Sequence, residues 1–366
     1  MKIERIETFR RDHLCMVRVT DADGAQGWGQ TAPFHPQISE AVLYDLVAPW
    51  ILGREVGDIG AWAELVFDRC YKFTGTFLCR AVAGVETALW DLAGRRQGVP
   101  VASLIGGAPR NVLIYGSAMS RATTAEEEAE RIARLAGEKG VRAFKIKIGP
   151  RLGRDDDVEG AAHRTESLIP RIREALPGAT LFADANGSYD VEGAVAMGET
   201  LIAHDYAHFE EPCPHLDIVG TAEVTRRLDG RILVTGGEQD YMPPLWRQIL
   251  DLPMADVVQP DVLYNGGVAR TLAVARMAAE REIEVMPHCA NRSLIQVVTQ
   301  HLITAMPNAR PWMEWSIEPS GWTDGLFTRP LEVEDGAAVF PEGPGWGVDI
   351  HPDWLAGADP RSQHAL

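Results

Sequence analysis

Thr180–Gly187 reads TLFADANG, a short strand-like run, Thr180 to Asp184, that ends on a carboxylate. Twenty-six residues later HFEEP ends another such run on Glu210, and 28 residues beyond that TGGEQ carries Glu238. The series continues through Asp261, His288 and Glu314 at gaps of 23, 27 and 26 residues, with Lys147 one unit earlier. An interval of about 26 residues is one strand plus one helix in a barrel of parallel strands, where functional groups collect at strand C-termini. The spacing therefore predicts an α/β protein with a (β/α)8 barrel of TIM type and a ring of ionisable groups on one rim.

Working outward, eight strand candidates emerge: 112–118, 143–148, 180–184, 208–210, 232–235, 256–259, 284–287 and 312–315. Amphipathic helical patterns separate them, such as Thr124 to Lys139, with a threonine cap and an acidic first turn. The stretch Pro319 to Gly325 holds no good helix, so the last helix of the barrel is short or missing. Residues 1–115 do not share the repeat. Two strands, a DADG turn at Asp21 to Gly24 and a third short strand precede helical patterns at 39–52, 59–71 and 78–97, which reads as an α+β capping domain. We place the catalytic barrel at 116–325, and a Gly- and Pro-rich tail, 326–366, packs back on the cap.

A chain of 366 residues accommodates one large domain and a smaller one. With 35 Lys and Arg against 52 Asp and Glu the formal charge is −17, which argues against nucleic acid or an anionic membrane as partner. The five cysteines, Cys15, Cys70, Cys79, Cys213 and Cys289, are odd in number and lack CxxC spacing, so they read as reduced thiols. The start MKIERIETFRR has no apolar signal core, and no apolar run reaches membrane-spanning length. A cytoplasmic enzyme acting on a small molecule is the expectation.

Asp184, Glu210 and Glu238, at the ends of adjacent strands, converge on one point, where their charges repel unless a cation lies between them. An all-oxygen donor set favours Mg2+. Any one of these carboxylates taken alone reads as a loop cap or surface charge; three at matched spacing do not. Lys145 and Lys147 alternate on one strand and share a face, so the pKa of at least one is expected to fall, making a general base; the competing reading is a solvated strand end. His288 and Asp261 end neighbouring strands, which lets the carboxylate fix the imidazole as a second acid/base across the barrel from Lys147. Glu314, flanked by Trp312 and Trp315, is expected either to retain its proton and donate to developing negative charge or to pair with Arg310.

In order, the α+β cap, ALWDLAG (Ala88 to Gly94), Lys-x-Lys, DAN, EEP, GGE, QPD with the following Gly266 and Gly267, and the His288 and Glu314 strand ends resemble the enolase superfamily, in particular its mandelate racemase subgroup. The resemblance spans most of the chain. It implies that Asp184, Glu210 and Glu238 bind Mg2+, with Glu211 in support. It further implies that Lys147 is a base, that Lys145 tunes it and contacts the substrate carboxylate, that His288 with Asp261 is the opposite acid/base, and that Glu314 stabilises an enediolate. A homo-oligomer is also implied. Two cap segments, 31–39 and 71–78, match the family's specificity loops, making Phe34, His35, Lys72, Phe73 and Thr74 candidate substrate contacts; Asn186, Cys289 and Asn291 are further pocket candidates.

The chemistry implied is Mg2+-dependent removal of the proton α to a carboxylate. Bases on both faces permit dehydration of an acid sugar or similar hydroxy acid to a 2-keto-3-deoxy acid, or racemisation or epimerisation; cycloisomerisation is a further outcome. Polar loop residues such as His35, Lys72 and Thr74 favour the hydroxylated acid, hence dehydration. Two readings lie outside this chemistry: a metal-free aldolase with Lys147 as Schiff-base lysine, and a non-catalytic binding barrel.

Overall fold

In the computed structural model, which describes residues 1–150 and 158–365, β1 (Ile3–Arg11) and β2 (Leu14–Asp21) form an antiparallel hairpin, and β3 (Gln26–Gln30) extends it. Asp21 shapes the turn before β3: its side chain accepts from the N–H groups of Asp23 and Ala25. Helix α1 (Pro36–Val42) runs into a wider turn, and α2 (Ile59–Arg69), capped by Asp58, leads to the long α3 (Thr76–Gln97) and the short α4 (Val101–Leu104). The middle of α3 is buried all round, because its Ala and Gly side allows β3 to approach closely; a Cβ on Gly29 would meet the backbone of α3 within 2.5 Å.

The chain then alternates. β4 (Val112–Ser117), α5 (Ala125–Lys139), β5 (Ala143–Lys147), α6 (Val158–Ala175), β6 (Thr180–Asp184), α7 (Val191–Ala203), β7 (His208–Glu210), α8 (Ile218–Leu228), β8 (Leu233–Gly236), α9 (Pro243–Asp251), β9 (Val257–Val258), α10 (Val268–Ala279), β10 (Glu284–Val285), α11 (Leu294–Ile303) and β11 (Trp312–Ser316) follow in order. Threonine and aspartate caps start several helices; Thr124 and Glu127 form a full capping box on α5. No helix forms directly after β11, between Pro319 and Gly325, as expected from the sequence there. The eight parallel strands run β11-β4-β5-β6-β7-β8-β9-β10, and the ring closes through a single bridge, Val285 with Ala309, rather than a full ladder. A barrel with an N-terminal cap is thus the fold.

The tail contributes β12 (Val333–Glu334), β13 (Ala337–Ala338), α12 (Pro352–Ala356) and β14 (Asp359–His364). β13 pairs antiparallel with β4 of the barrel, and β14 pairs with β1 of the cap. The tail therefore stitches both units together rather than covering the cap alone. Two buried carboxylates lock the joint. Asp91 accepts from the N–H of Trp28 and of Trp346, and Glu86 on α3 accepts from the first N–H groups of α10, Val268 (2.9 Å) and Ala269 (3.0 Å). Gly267, at φ 116°, admits the Glu86 carboxylate: a Cβ there would sit 2.5 Å from its oxygen. All five cysteines are free and buried, and among the described residues no helix is long and apolar enough to cross a membrane.

Candidate active site

Register sets the site. In the parallel ladders Lys147 pairs with Asp184, and Asp184 with Glu210, so three strand-terminal side chains stand side by side at one end of the barrel. Lys147 Nζ contacts Asp184 directly, while Lys145, two residues back on the same face, lies deeper. The Lys145 ammonium is 2.6 Å from Glu210 Oε1, 2.9 Å from Glu314 Oε1 and 3.6 Å from Asp184 Oδ2. Across the barrel, His288 Nδ1 and Asp261 Oδ2 are 2.7 Å apart, and Nε2 lies 3.4 Å from Glu238 Oε2. Asp261 Oδ2 accepts from the Nδ1 proton, which leaves Nε2 to exchange a proton with whatever occupies the cavity.

Burial and mutual charge decide the protonation of these groups. Lys145 is expelled from water, yet Glu210 and Glu314 outweigh that cost and hold its pKa well above the ordinary range. The expected fall is therefore reversed at Lys145, because carboxylates rather than a second ammonium are its nearest neighbours. Glu314 is likewise corrected: burial favours its proton, but Lys145 and His288 pull its pKa down to about 2, so it is ionised. It accepts from Ser117 Oγ (2.8 Å) and the Cys289 N–H (2.9 Å), whereas Arg310 pairs with Glu284 instead. Burial pushes the His288 imidazolium toward losing its proton, but Glu238, Asp261 and Glu314 raise its pKa to about 10.

Negative charge is in excess. Six buried carboxylates, Asp184, Glu210, Glu211, Glu238, Asp261 and Glu314, face three basic groups, Lys145, Lys147 and His288. Burial, reinforced by neighbouring acids, lifts Glu210 to about 8 against the pull of Lys145, and pushes Glu211 well above the carboxylate range. A divalent cation would offset this repulsion, and an all-oxygen set of Asp184, Glu210 and Glu238 suits a hard ion such as Mg2+. Among the described residues no three acids, histidines or cysteines are arranged as a metal cage, and ammonium groups contact oxygens of Asp184 and Glu210. The donor chemistry fits Mg2+.

Above these groups lies a cavity of about 460 Å3, lined by Lys147, Glu238, Asp261 and His288 from the barrel and by Phe34 and His35 from the cap. Asn186 and Asn291 line it as well. Phe34 (φ 66°), His35 (φ 50°) and Asn186 (φ 44°) in the wall, and Glu211 (φ 43°) behind Asn186, hold left-handed backbone conformations that non-glycine residues seldom adopt. Asn186 bridges, its amide nitrogen 3.1 Å from Glu211 and its oxygen accepting from Arg121. Lys72 and Thr74 fall outside the cavity: the turn Tyr71–Phe73 is exposed, and the Lys72 ammonium turns back over the Tyr71 ring. Phe73 is exposed with them, and Lys145 and Cys289 lie beneath the cavity lining.

Several lining residues escaped the sequence reading. Arg121 follows the end of β4 and would have been found by extending the strand-end rule to the first barrel strand. Tyr264 follows Asp261 by three residues, and Trp322 comes from the turn after β11, where it packs near Phe34 and His13. Arg80 and Phe77 sit in the first turns of α3, where an alanine-rich pattern drew attention to packing instead.

Residues 4–106 match the model of the mandelate racemase/muconate lactonizing enzyme N-terminal domain, and residues 127–354 that of the enolase C-terminal domain-like family. An arabinonate dehydratase from Saccharolobus solfataricus is 27% identical over 92% of this chain and 88% of its own, and a D-galactarolactone cycloisomerase from Agrobacterium fabrum 26% identical over 94% and 91%. A crystal structure of a candidate racemase from Roseobacter denitrificans superimposes with a TM-score of 0.95 at 44% identity, covering 100% of both chains.

Proposed function

The chain belongs to the mandelate racemase/muconate lactonizing enzyme family of the enolase superfamily, a family of lyases and isomerases, and we propose that it dehydrates an acid sugar to a 2-keto-3-deoxy acid. One observation carries the reading: Lys147 and the Asp261–His288 pair come from opposite sides of the barrel rim and line the same cavity over a bed of buried carboxylates. Lys147, as the free amine, takes the proton α to the substrate carboxylate, and the C–H electrons move onto the carboxylate oxygens as an enediolate. His288 gives its Nε2 proton to the β-hydroxyl as the C–O bond breaks and water leaves; Asp261 supports the imidazolium from Nδ1. The resulting enol takes up a proton at C3 and releases its hydroxyl proton, becoming the 2-keto acid. Lys145, fixed between Glu210 and Glu314, places positive charge beneath the developing anion. Mg2+ held by Asp184, Glu210 and Glu238 would supply Lewis-acid stabilisation of that charge when bound. The partners on this reading are a small-molecule carboxylate and the metal, in a homo-oligomer.

The 44% identical candidate racemase favours a second reading, in which His288 returns a proton to the opposite face of the α-carbon. Turnover in D2O with Mg2+ and a panel of aldonic, aldaric and uronic acids separates the two. Dehydration releases a 2-keto acid, whereas racemisation places deuterium in recovered, inverted acid. Neither product from any acid would refute the proposal.

A further inference from the structure

Arg80 is a cation without an anion. It lies in the first turns of α3, at the cap side of the cavity, and its hydrogen bonds go to neutral acceptors: Nε donates to Thr76 Oγ1 (3.0 Å) and Nη1 to the Pro33 carbonyl (3.2 Å). Among the described residues it makes no ion pair. Its guanidinium carbon stands 4.1 Å from the centre of the Tyr264 ring and 5.8 Å from that of Phe77. Aromatic contacts of this kind steady a guanidinium, and the Nη2 group, which makes neither of these two bonds, with the second Nη1 hydrogen is matched to a planar carboxylate. Elsewhere on the cap, Arg10, Arg18, Arg95 and Arg96 each have a carboxylate partner, in keeping with a chain that carries 52 acids.

Tyr264 also sets the distance. Its ring centre is 5.9 Å from that of His288, so the Arg80 guanidinium and the acid/base imidazole stand on one shared aromatic wall. The excess carboxylates come from the barrel strand ends, whereas Arg80 comes into the cavity from the cap helix α3. A substrate whose reacting carboxylate is held at the barrel end therefore points its far end at an unneutralised guanidinium.

Resting on the acid-sugar reading above, we propose that Arg80 binds a second, distal carboxylate, and that the substrate class is the dianionic aldaric acids rather than the monoanionic aldonic acids. A charge-assisted bidentate pair contributes a factor of about 10 to 150 in affinity. The test is calorimetric binding of matched six-carbon acids to the Mg2+-loaded protein, galactarate and glucarate against galactonate and gluconate, alongside their turnover. Wild type is expected to prefer the aldarates by about 10- to 150-fold in Kd. In Arg80→Met this preference collapses to within about threefold, Arg80→Lys keeps part of it, and the loss in kcat/KM appears chiefly in KM. Unchanged circular dichroism and Tm establish that the variants fold. Preference of the wild type for aldonates, failure to bind aldarates, or an equal loss for both classes in Arg80→Met overturns the proposal. Arg80-dependent aldarate binding without any 2-keto acid would sustain it while sinking dehydration; 2-keto acid formed with no dependence on Arg80 does the reverse.

Discussion

Replacing Asp261 with asparagine isolates the proton-transfer role of His288 from its position. Asp261 Oδ2 is 2.7 Å from His288 Nδ1, and its Oδ1 accepts from the N–H groups of Leu263 (2.7 Å) and Tyr264 (3.0 Å). An amide oxygen can keep both backbone bonds, which turns its NH2 toward Nδ1 and forces that ring nitrogen to accept. The ring proton then moves to Nε2 of a neutral imidazole, and the imidazolium loses its anionic support. Losing one charge-assisted bond costs about 1.5 to 3 kcal/mol, or about 10- to 150-fold in rate. The wrong tautomer adds to this; the same exchange in a Ser-His-Asp triad costs about 10^4. We expect 2-keto acid formation by Asp261→Asn to fall by about 10^2 to 10^4, while deuterium exchange at the α-carbon, carried by Lys147, falls less than about tenfold. The alkaline limb of the kcat profile should also move to lower pH, because an imidazolium without Asp261 releases its proton more readily. Elimination within about threefold of wild type, or equal loss of exchange and elimination in a folded variant, would refute the assignment.

Lys147→Met should lower both exchange and turnover by about 10^2 to 10^4, with Tm little changed, as measured by proton NMR in D2O and calorimetry. Chelation with EDTA should abolish turnover and Mg2+ restore it; at about 100 times Kd the metal should add about 2.7 kcal/mol of stability, a gain absent in Glu210→Gln. Glu86 tests the cap joint. Burial raises its pKa from 4.5 to about 7 against three hydrogen bonds, so the folded protein holds this proton more tightly than the unfolded chain does. Stability from this group is therefore lost as pH rises from 4.5 to about 7, by about 3 kcal/mol, and urea titrations at pH 5 and 7.5 should show a smaller difference between them in Glu86→Gln than in wild type.

The barrel was legible because parallel strands are buried on both faces and stop at a charged rim. β6 and β7 have the bounds read from sequence, down to the three-residue HFE. Where pairing is weak the pattern said less: β9 and β10 keep only two laddered residues each, and ring closure rests on a contact at Ala309 that no strand pattern marks. Ionisation was misread for a different reason. The states of Lys145 and Glu314 depend on gaps of 2.6 to 2.9 Å between strands far apart in sequence, and spacing along the chain carries no such distances. Lys72 and Thr74 were plausible by loop position, but a tight turn from Tyr71 to Phe73 presents them to solvent. Arg80 shows the opposite error, since helical spacing revealed the buried stripe of α3 and not the side chain at its open end.

α3 gives that open end its significance. Arg80 and Glu86 are six residues apart on one helix, about 9 Å along its axis. Glu86 holds the first turn of α10, and Gln30 on β3, packed against α3, donates to Ser293 (2.8 Å) and accepts from the N–H of Leu294 (2.9 Å) at the start of α11. These two helices follow the strands whose ends lead to Asp261 and His288. The cap is thus pinned, by buried bonds, to the parts of the barrel that carry the acid/base pair. Because α3 is continuous from Thr76 to Gln97, Arg80 inherits that position: the recognising cation and the proton donor share one frame. A change in the α3–α10 joint should therefore alter KM and kcat together, whereas a change at Arg80 alone should act chiefly on KM.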